Sequence, residues 1–277
     1  MPKPITSTSA LLLTFLLVAA AFSEQAADRQ KKAWAEYRSR TEDRIEVELG
    51  SKDAFLASAF LLPEDKAPFD AKLRNGQIPV VTRETRDARG REIEIPDSAV
   101  HHRLGAVLLR KASLDAVVRF AQNYDGHARV FVDVEESRLL SRRGDVFTIE
   151  LLFRLARPER VRYLTEHVVA YRRLSPIRMV SFSLATRIQQ LERNSMNPVD
   201  PSGQSGIIRE MSSYWRFEQR PEGVVVECES ISLSKPIPLL LRPIVSGYVQ
   251  SIATDSLRRT LLNLRDGFAR QAVRPVS

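Results

Sequence analysis

The sequence predicts an α+β domain: a strand and a short helix, a long run of antiparallel strands, then one closing C-terminal helix, all behind a mostly helical extension. Three observations predict it. From about residue 98 to 233, apolar and polar residues alternate in segments divided by turn signals, the period-two pattern of half-buried strands. That pattern is interrupted once, after Ser113, where Leu114, Val117, Val118 and Ala121 recur at helical spacing. Beyond the start signal Thr254-Asp255-Ser256, Leu257, Leu261, Leu264 and Phe268 again recur at three- and four-residue spacing, with Arg258, Arg259 and Arg265 off the stripe.

The elements follow in chain order. Behind Lys3, the run Ala10–Phe22 is uncharged and mostly apolar, and Ala21 and Ser23 offer small residues at the −3 and −1 positions of a cleavage site. This is the composition of a secretory signal peptide over residues 1–23, cut after Ser23. It implies an exported protein, periplasmic or secreted. The rival is an uncleaved inner-membrane anchor through residues 5–23, since the uncharged stretch nearly reaches the ~20 residues a spanning helix needs.

Residues 24–97 form the extension. Trp34 and Tyr37 sit in an amphipathic helix stopped by Gly50-Ser51, with a second short helix over Lys52–Leu62 before Pro63. Residues 63–97 read as irregular, with turns at Asn75-Gly76 and Arg89-Gly90 and short strands at Ile78–Arg83 and Glu92–Ile95.

The domain proper covers 98–272. A strand over Val100–Leu109 precedes the helix, with the Ser113 hydroxyl placed to accept from the first N–H groups. Tyr124-Asp125-Gly126 breaks that helix near Asn123. Strands follow at Val132–Leu140, Val146–Leu155, Arg162–Arg172, Met179–Leu191, Ile207–Gln219 and Val224–Leu233, with a loop over 194–205. Pro236, Pro238 and Pro243 shape the link to the last helix, with room for a short helix between them. In the last two strands Met211, Ser213, Trp215 and Phe217 share one face, as do Val224, Val226, Cys228 and Ser230. Matching those faces sets Arg216 against Glu227 or Glu229, whereas a one-residue slip puts Trp215 and Phe217 beside the glutamates.

Composition narrows the function. The chain has 277 residues, 43% hydrophobic, enough for a substantial core. A lone cysteine, Cys228, excludes an internal disulfide and zinc sites built on cysteine pairs, and its setting reads as a buried, inert thiol. The net charge is +8, but the basic residues are interleaved with acids and not with stacking aromatics. That is no single-strand binding surface. Nucleic acid is not an expected partner, and peripheral contact with a membrane is the second role this charge allows. The sequence lacks Gly-x-Ser-x-Gly, Gly-x-Gly-x-x-Gly, a phosphate loop and His-Glu-x-x-His.

Four stretches carry a family resemblance: Ala112–His127, with its helix and Tyr-Asp break; Ser137–Asp145, a strand and turn; Ser213–Leu233, a hairpin; and Ser251–Leu261, the opening of the last helix. Together and in order they resemble the START-like helix-grip fold of the SRPBCC superfamily, most of all its exported bacterial members, over about residues 98–270. The resemblance implies a curved antiparallel sheet wrapped around the C-terminal helix with an apolar cavity between them. It also implies a lipid, isoprenoid or polyketide-like ligand, or cyclase and dehydratase chemistry. On that basis Phe147, Ile149, Leu151, Met211, Trp215, Phe217 and Val226 from the sheet line the cavity with Leu257, Leu261, Leu264 and Phe268 from the helix. The same residues would equally fill a cavity-free core; the cavity reading is adopted because concave apolar sites are where ligands bind.

Of the four histidines, His101 and His102 are strand neighbours pointing to opposite faces and cannot share a metal. His127 reads as a surface or capping residue. His167 alternates onto one face with Tyr163, Thr165 and Tyr171, a polar and aromatic strip able to orient a ligand's head. With Tyr163 and Ser213 it completes the expected binding set. The expectation is a protein that sequesters a hydrophobic or amphiphilic small molecule, with no catalytic residue, metal or cofactor assigned. A cyclase or dehydratase using His167 as acid or base is the alternative, and a cavity-free interaction protein the third reading.

Overall fold

The computed structural model describes residues 8–155, 161–200, 206–235 and 242–273, with backbone alone for 8–24, 26, 242–250 and 272–273. The expected short helix between the prolines at 236 and 243 and the end of the 194–205 loop therefore lie outside the described residues. The chain forms two compact units: residues up to 44 with 85–98, and residues 45–84 with 99 onward. Helix α1 (Thr8–Leu49) contributes to both and stops at Gly50 as expected.

In the first unit Trp34 and Tyr37 are buried and stack with ring planes 5° apart. The Tyr37 hydroxyl accepts the Thr85 N–H at 3.0 Å. Thr41 donates its hydroxyl to the Tyr37 carbonyl, so Thr85 donates to Thr41 across their 2.6 Å contact. Glu92–Ile95 is not a strand. It makes a single bridge, Arg86 to Glu92, while Ile93 and Ile95 are buried.

The second unit is built on an eight-stranded antiparallel sheet in the order β1-β2-β8-β7-β6-β5-β4-β3. The strands are β1 (Val80–Thr82), β2 (Ala99–Arg110), β3 (Val134–Arg143), β4 (Val146–Leu155), β5 (Val161–Ser175), β6 (Arg178–Leu191), β7 (Ile208–Arg220) and β8 (Gly223–Ser234). After β2 the chain makes α3 (Leu114–Ala121) and a 3-10 segment (Tyr124–Arg129), crosses to β3, and then adds each strand beside the last until β8 returns next to β2. Helix α4 (Arg242–Val273) follows. This order, with a long terminal helix packed on the sheet, is the helix-grip architecture.

One sheet face packs on α3 and α4. Val107, Phe147, Ile149, Val169, Phe217, Val226 and Cys228 form a single core with Val117, Leu257, Leu261 and Leu264. Gly105 of β2 permits the close approach of α4: a Cβ there would lie 2.8 Å from Leu261 Cδ1. The expected register of the last hairpin holds, with Trp215 opposite Cys228, Phe217 opposite Val226 and Arg216 opposite Glu227. Helix α4 starts twelve residues before the expected Thr254, because Pro243 sits in its first turn, where a missing N–H costs nothing. Ser113 occupies the N-cap of α3 without a side-chain bond. The Gln219 amide oxygen takes the Leu114 N–H instead, at 2.7 Å.

Residues 45–84 pack on the other face. The expected short helix at 52–62 is a single 3-10 turn (Ala57–Phe60), and Pro63 begins a helix, α2 (Pro63–Arg74), where an irregular segment was expected. Pro at the first position, Glu64 and Asp65 in the first turn and Lys72 and Arg74 in the last all suit a helix start and end. Phe55, Leu56, Phe69 and Leu73 cover Leu104, Ala106, Val180 and Val225. Beneath them lies a buried charge network. Arg216 pairs with Glu48 and donates to the Phe55 carbonyl at 2.7 Å; Arg83 lies 3.5 Å from Glu48 and 3.7 Å from Glu229; His102 meets Glu229 at 2.6 Å; and the Ser58 N–H points at the Glu227 carboxylate. Burial pushes the Glu227 carboxyl up, against the pull of Ser58 and Arg216.

Candidate functional site

Strand β5 presents the strictest alternation among the described strands, with Val161, Tyr163, Thr165, His167, Val169 and Tyr171 all buried on the face toward the helices. Its neighbours complete a polar band. Thr165 donates its hydroxyl to the Leu151 carbonyl at 3.3 Å, so it accepts from His167 Nε2 at 3.0 Å. That fixes the tautomer: His167 Nδ1 carries no proton and receives the Ser183 hydroxyl at 3.5 Å. Burial holds His167 down to about 4, so the ring is neutral at physiological pH. A register shift in β6 falls beside it: Glu166 faces Arg187 while His167 faces Ala185. Such bulges bend a strand and re-aim side chains. Farther along, the Tyr163 hydroxyl donates to the Gln190 amide oxygen at 3.1 Å and accepts the Ile208 N–H at 3.3 Å.

The expected binding residues divide into two groups. Phe147, Ile149, Phe217, Val226, Leu257, Leu261 and Leu264 are buried in the core between sheet and helices. Leu151, Trp215 and Phe268 pack against that core while staying partly exposed, and Met211 and Ser213 are also partly exposed. Trp215 Nε1 donates to the Ser213 hydroxyl at 3.1 Å.

An open cleft of about 840 Å³ lies at the C-terminal end of α4. One wall comes from Phe120 of α3 and the segment 123–130, the other from Gly267 to Gln271 of α4. Gly267 makes the contact close: a Cβ there would lie 2.7 Å from Val130 Cγ1 and 3.2 Å from Phe120 Cζ. Phe268 meets Phe120 edge-on at 5.6 Å. From His127, in the cleft wall, ring contacts lead to Tyr124 at 4.9 Å and on to Phe147 at 5.4 Å. The Tyr124 and Tyr171 hydroxyls meet at 3.0 Å, so the aromatic chain joins the strand that carries His167. His127 donates to the Ala121 carbonyl at 3.0 Å and closes the end of α3, the capping role expected of it. Burial lowers it to about 4.

Sequence reasoning did not single out Phe120, Val130, Gly267 or Arg129, and it marks Arg270 only as one of the basic residues of the C-terminal helix. They come from segments more than a hundred residues apart, and the local pattern marks them only as helix ends and a turn. The remaining histidines face opposite sides as expected: His101 contacts Ser234 at 2.9 Å, and His102 joins the charge network. Cys228 is buried, its thiol pushed up by burial and by Glu229. Among the described residues no three His, Cys, Asp or Glu groups are placed to hold a metal, and no helix is long and apolar enough to cross a membrane.

Chemically, the polar band is satisfied within the protein: both His167 nitrogens, the Thr165 hydroxyl and the Tyr163 hydroxyl already have partners, and all three residues are buried.

No protein-family model matches the chain, and no curated protein matches it. Among solved structures it is similar to a protein from Thermus thermophilus, 14% identical, covering 63% of this chain and 98% of that one at a TM-score of 0.43. It is also similar to the Zhui aromatase/cyclase from a Streptomyces species (16% identical, 64% and 97% covered, TM-score 0.43). A third is a STAR-related lipid transfer protein from Xanthomonas axonopodis (18% identical, 66% and 93% covered, TM-score 0.44). These likenesses concern architecture alone, and the helix-grip assignment stands on the strand order and the terminal helix.

Proposed function

We propose that this protein binds a hydrophobic or amphiphilic small molecule in the cleft at the C-terminal end of α4, against Phe120 and the segment that follows α3. The observation that carries the reading is that cleft. Its volume, about 840 Å³, falls in the range of roughly 300–1,000 Å³ typical of small-molecule sites. Its apolar lining, Phe120 and Val130, is contiguous with the core. Burial of an apolar chain there supplies the affinity, at ~25 cal/mol per Å² removed from water. The apolar run Ala10–Phe22 supports export as part of the same proposal, placing the carrier outside the cytoplasm.

The test is titration with Nile red, a neutral apolar dye, against the wild type and Ala269→Trp. Ala269 is exposed and lines the cleft, so an indole there fills the mouth without entering the core. The expected result is saturable one-site binding that the variant loses while keeping its melting temperature. Binding that never saturates, or that Ala269→Trp leaves intact, contradicts the reading.

A further inference from the structure

The same cleft has a charged rim with no acid in it. Arg129, at the end of the 3-10 segment, and Arg270, in the last turn of α4, both line it and both are exposed. Neither forms an ion pair with a described residue. The neighbouring arginines of α4 differ: Arg258 pairs with Asp255, Arg259 with Asp133 and Arg265 with Asp266. No aspartate or glutamate lines the cleft. The other polar groups in its walls include the amides of Asn123 and Gln271, which can donate. The carbonyl end of α4 carries about half a negative charge, which by itself repels an anion. Asp125, just outside the lining, adds one carboxylate whose charge reaches His127; two full guanidinium charges outweigh both, and guanidinium is the side chain best matched to planar or tetrahedral oxyanions.

We propose that the cleft selects amphiphiles with an anionic head, a carboxylate or phosphate, held by Arg129 and Arg270 while the apolar chain lies over Phe120 and Val130. This rests on the small-molecule reading above and names the class of its ligand. The donors sit at the mouth, so the head stays near water and the chain points inward.

The experiment compares dansyl-labelled undecanoic acid with its methyl ester, which keeps the chain and removes the charge. Wild-type protein should bind the acid about tenfold tighter than the ester, the effect of roughly one charge-assisted contact net of screening. Arg129→Gln/Arg270→Gln should abolish that preference, leave ester affinity within about twofold, and leave the melting temperature unchanged, because both side chains are exposed. Ala269→Trp should block both probes. If wild type binds acid and ester equally, the anionic-head inference falls while the ligand-binding reading stands. If it binds neither, both fall. If the double variant keeps its acid preference but no longer sediments with anionic vesicles, the arginines serve a membrane surface and the inference is overturned.

Discussion

Replacing Arg216 with Met tests whether the charge network beneath residues 45–84 holds that segment on the sheet. Arg216 is 2% exposed and makes two contacts that Met cannot: the pair with Glu48 and the 2.7 Å bond to the Phe55 carbonyl. It also faces Glu227 across the ladder. Removing one partner of a buried pair costs about 3–5 kcal/mol because the other charge is left uncompensated. Arg83 remains within 3.5 Å of Glu48, and Ser58 still donates to Glu227, so the lower end applies, about 3 kcal/mol. For a chain of this size that is roughly 6–12 °C in melting temperature. Urea unfolding followed by circular dichroism measures it. The pairing account further requires Glu48→Gln in the same chain to return at least half of the loss, since the stranded carboxylate is then gone. A loss under about 1 kcal/mol, or a double variant no better than the sum of the singles, refutes the reasoning.

Three other outcomes follow from the same structure. His167 is neutral when folded, held at about 4, while the unfolded chain takes up a proton below the usual 6.5; the wild type therefore keeps this contribution above 6.5 and loses roughly 3 kcal/mol of it as the pH falls to about 4. His167→Gln should show a shallower acid loss in urea unfolding at stepped pH, and an unchanged slope would rule the histidine out. Gly105→Val should cost about 1–3 kcal/mol by crowding Leu261, and Leu261→Ala should relieve part of that strain; a Gly105→Val chain as stable as wild type would show that α4 does not bear on β2 as described. The mature protein recovered from an exported fraction should begin at Glu24 by intact mass, whereas a retained N-terminus in the membrane fraction would support the anchor instead.

The strands were legible because each carries its own period-two pattern. Val146–Leu155 has the same bounds in sequence and structure, and the β7–β8 register follows from keeping Trp215 and Phe217 away from Glu227 and Glu229. Prolines misled in two places: Pro63 and Pro243 read as breaks, yet each lies in the first turn of a helix, the one helical position where proline fits without loss. Glu48 as the partner of Arg216 was not readable, since nothing local marks a contact over 168 residues. The strip of Tyr163, Thr165, His167 and Tyr171 was visible as alternation, but not the tautomer of His167, which depends on Leu151 and Ser183 from neighbouring strands. The cleft was invisible for a similar reason: Gly267 against Val130 is a tertiary contact, and a glycine in a helix announces only weak propensity.

The central claim is that the fold carries a ligand, and native mass spectrometry of the protein purified from its native host tests it most directly, with organic extraction of whatever is bound. The account predicts a discrete co-purifying mass of an anionic amphiphile, released by solvent and missing from Ala269→Trp. An empty protein that also refuses both dansyl probes would contradict it and leave the sheet and α4 enclosing a filled core.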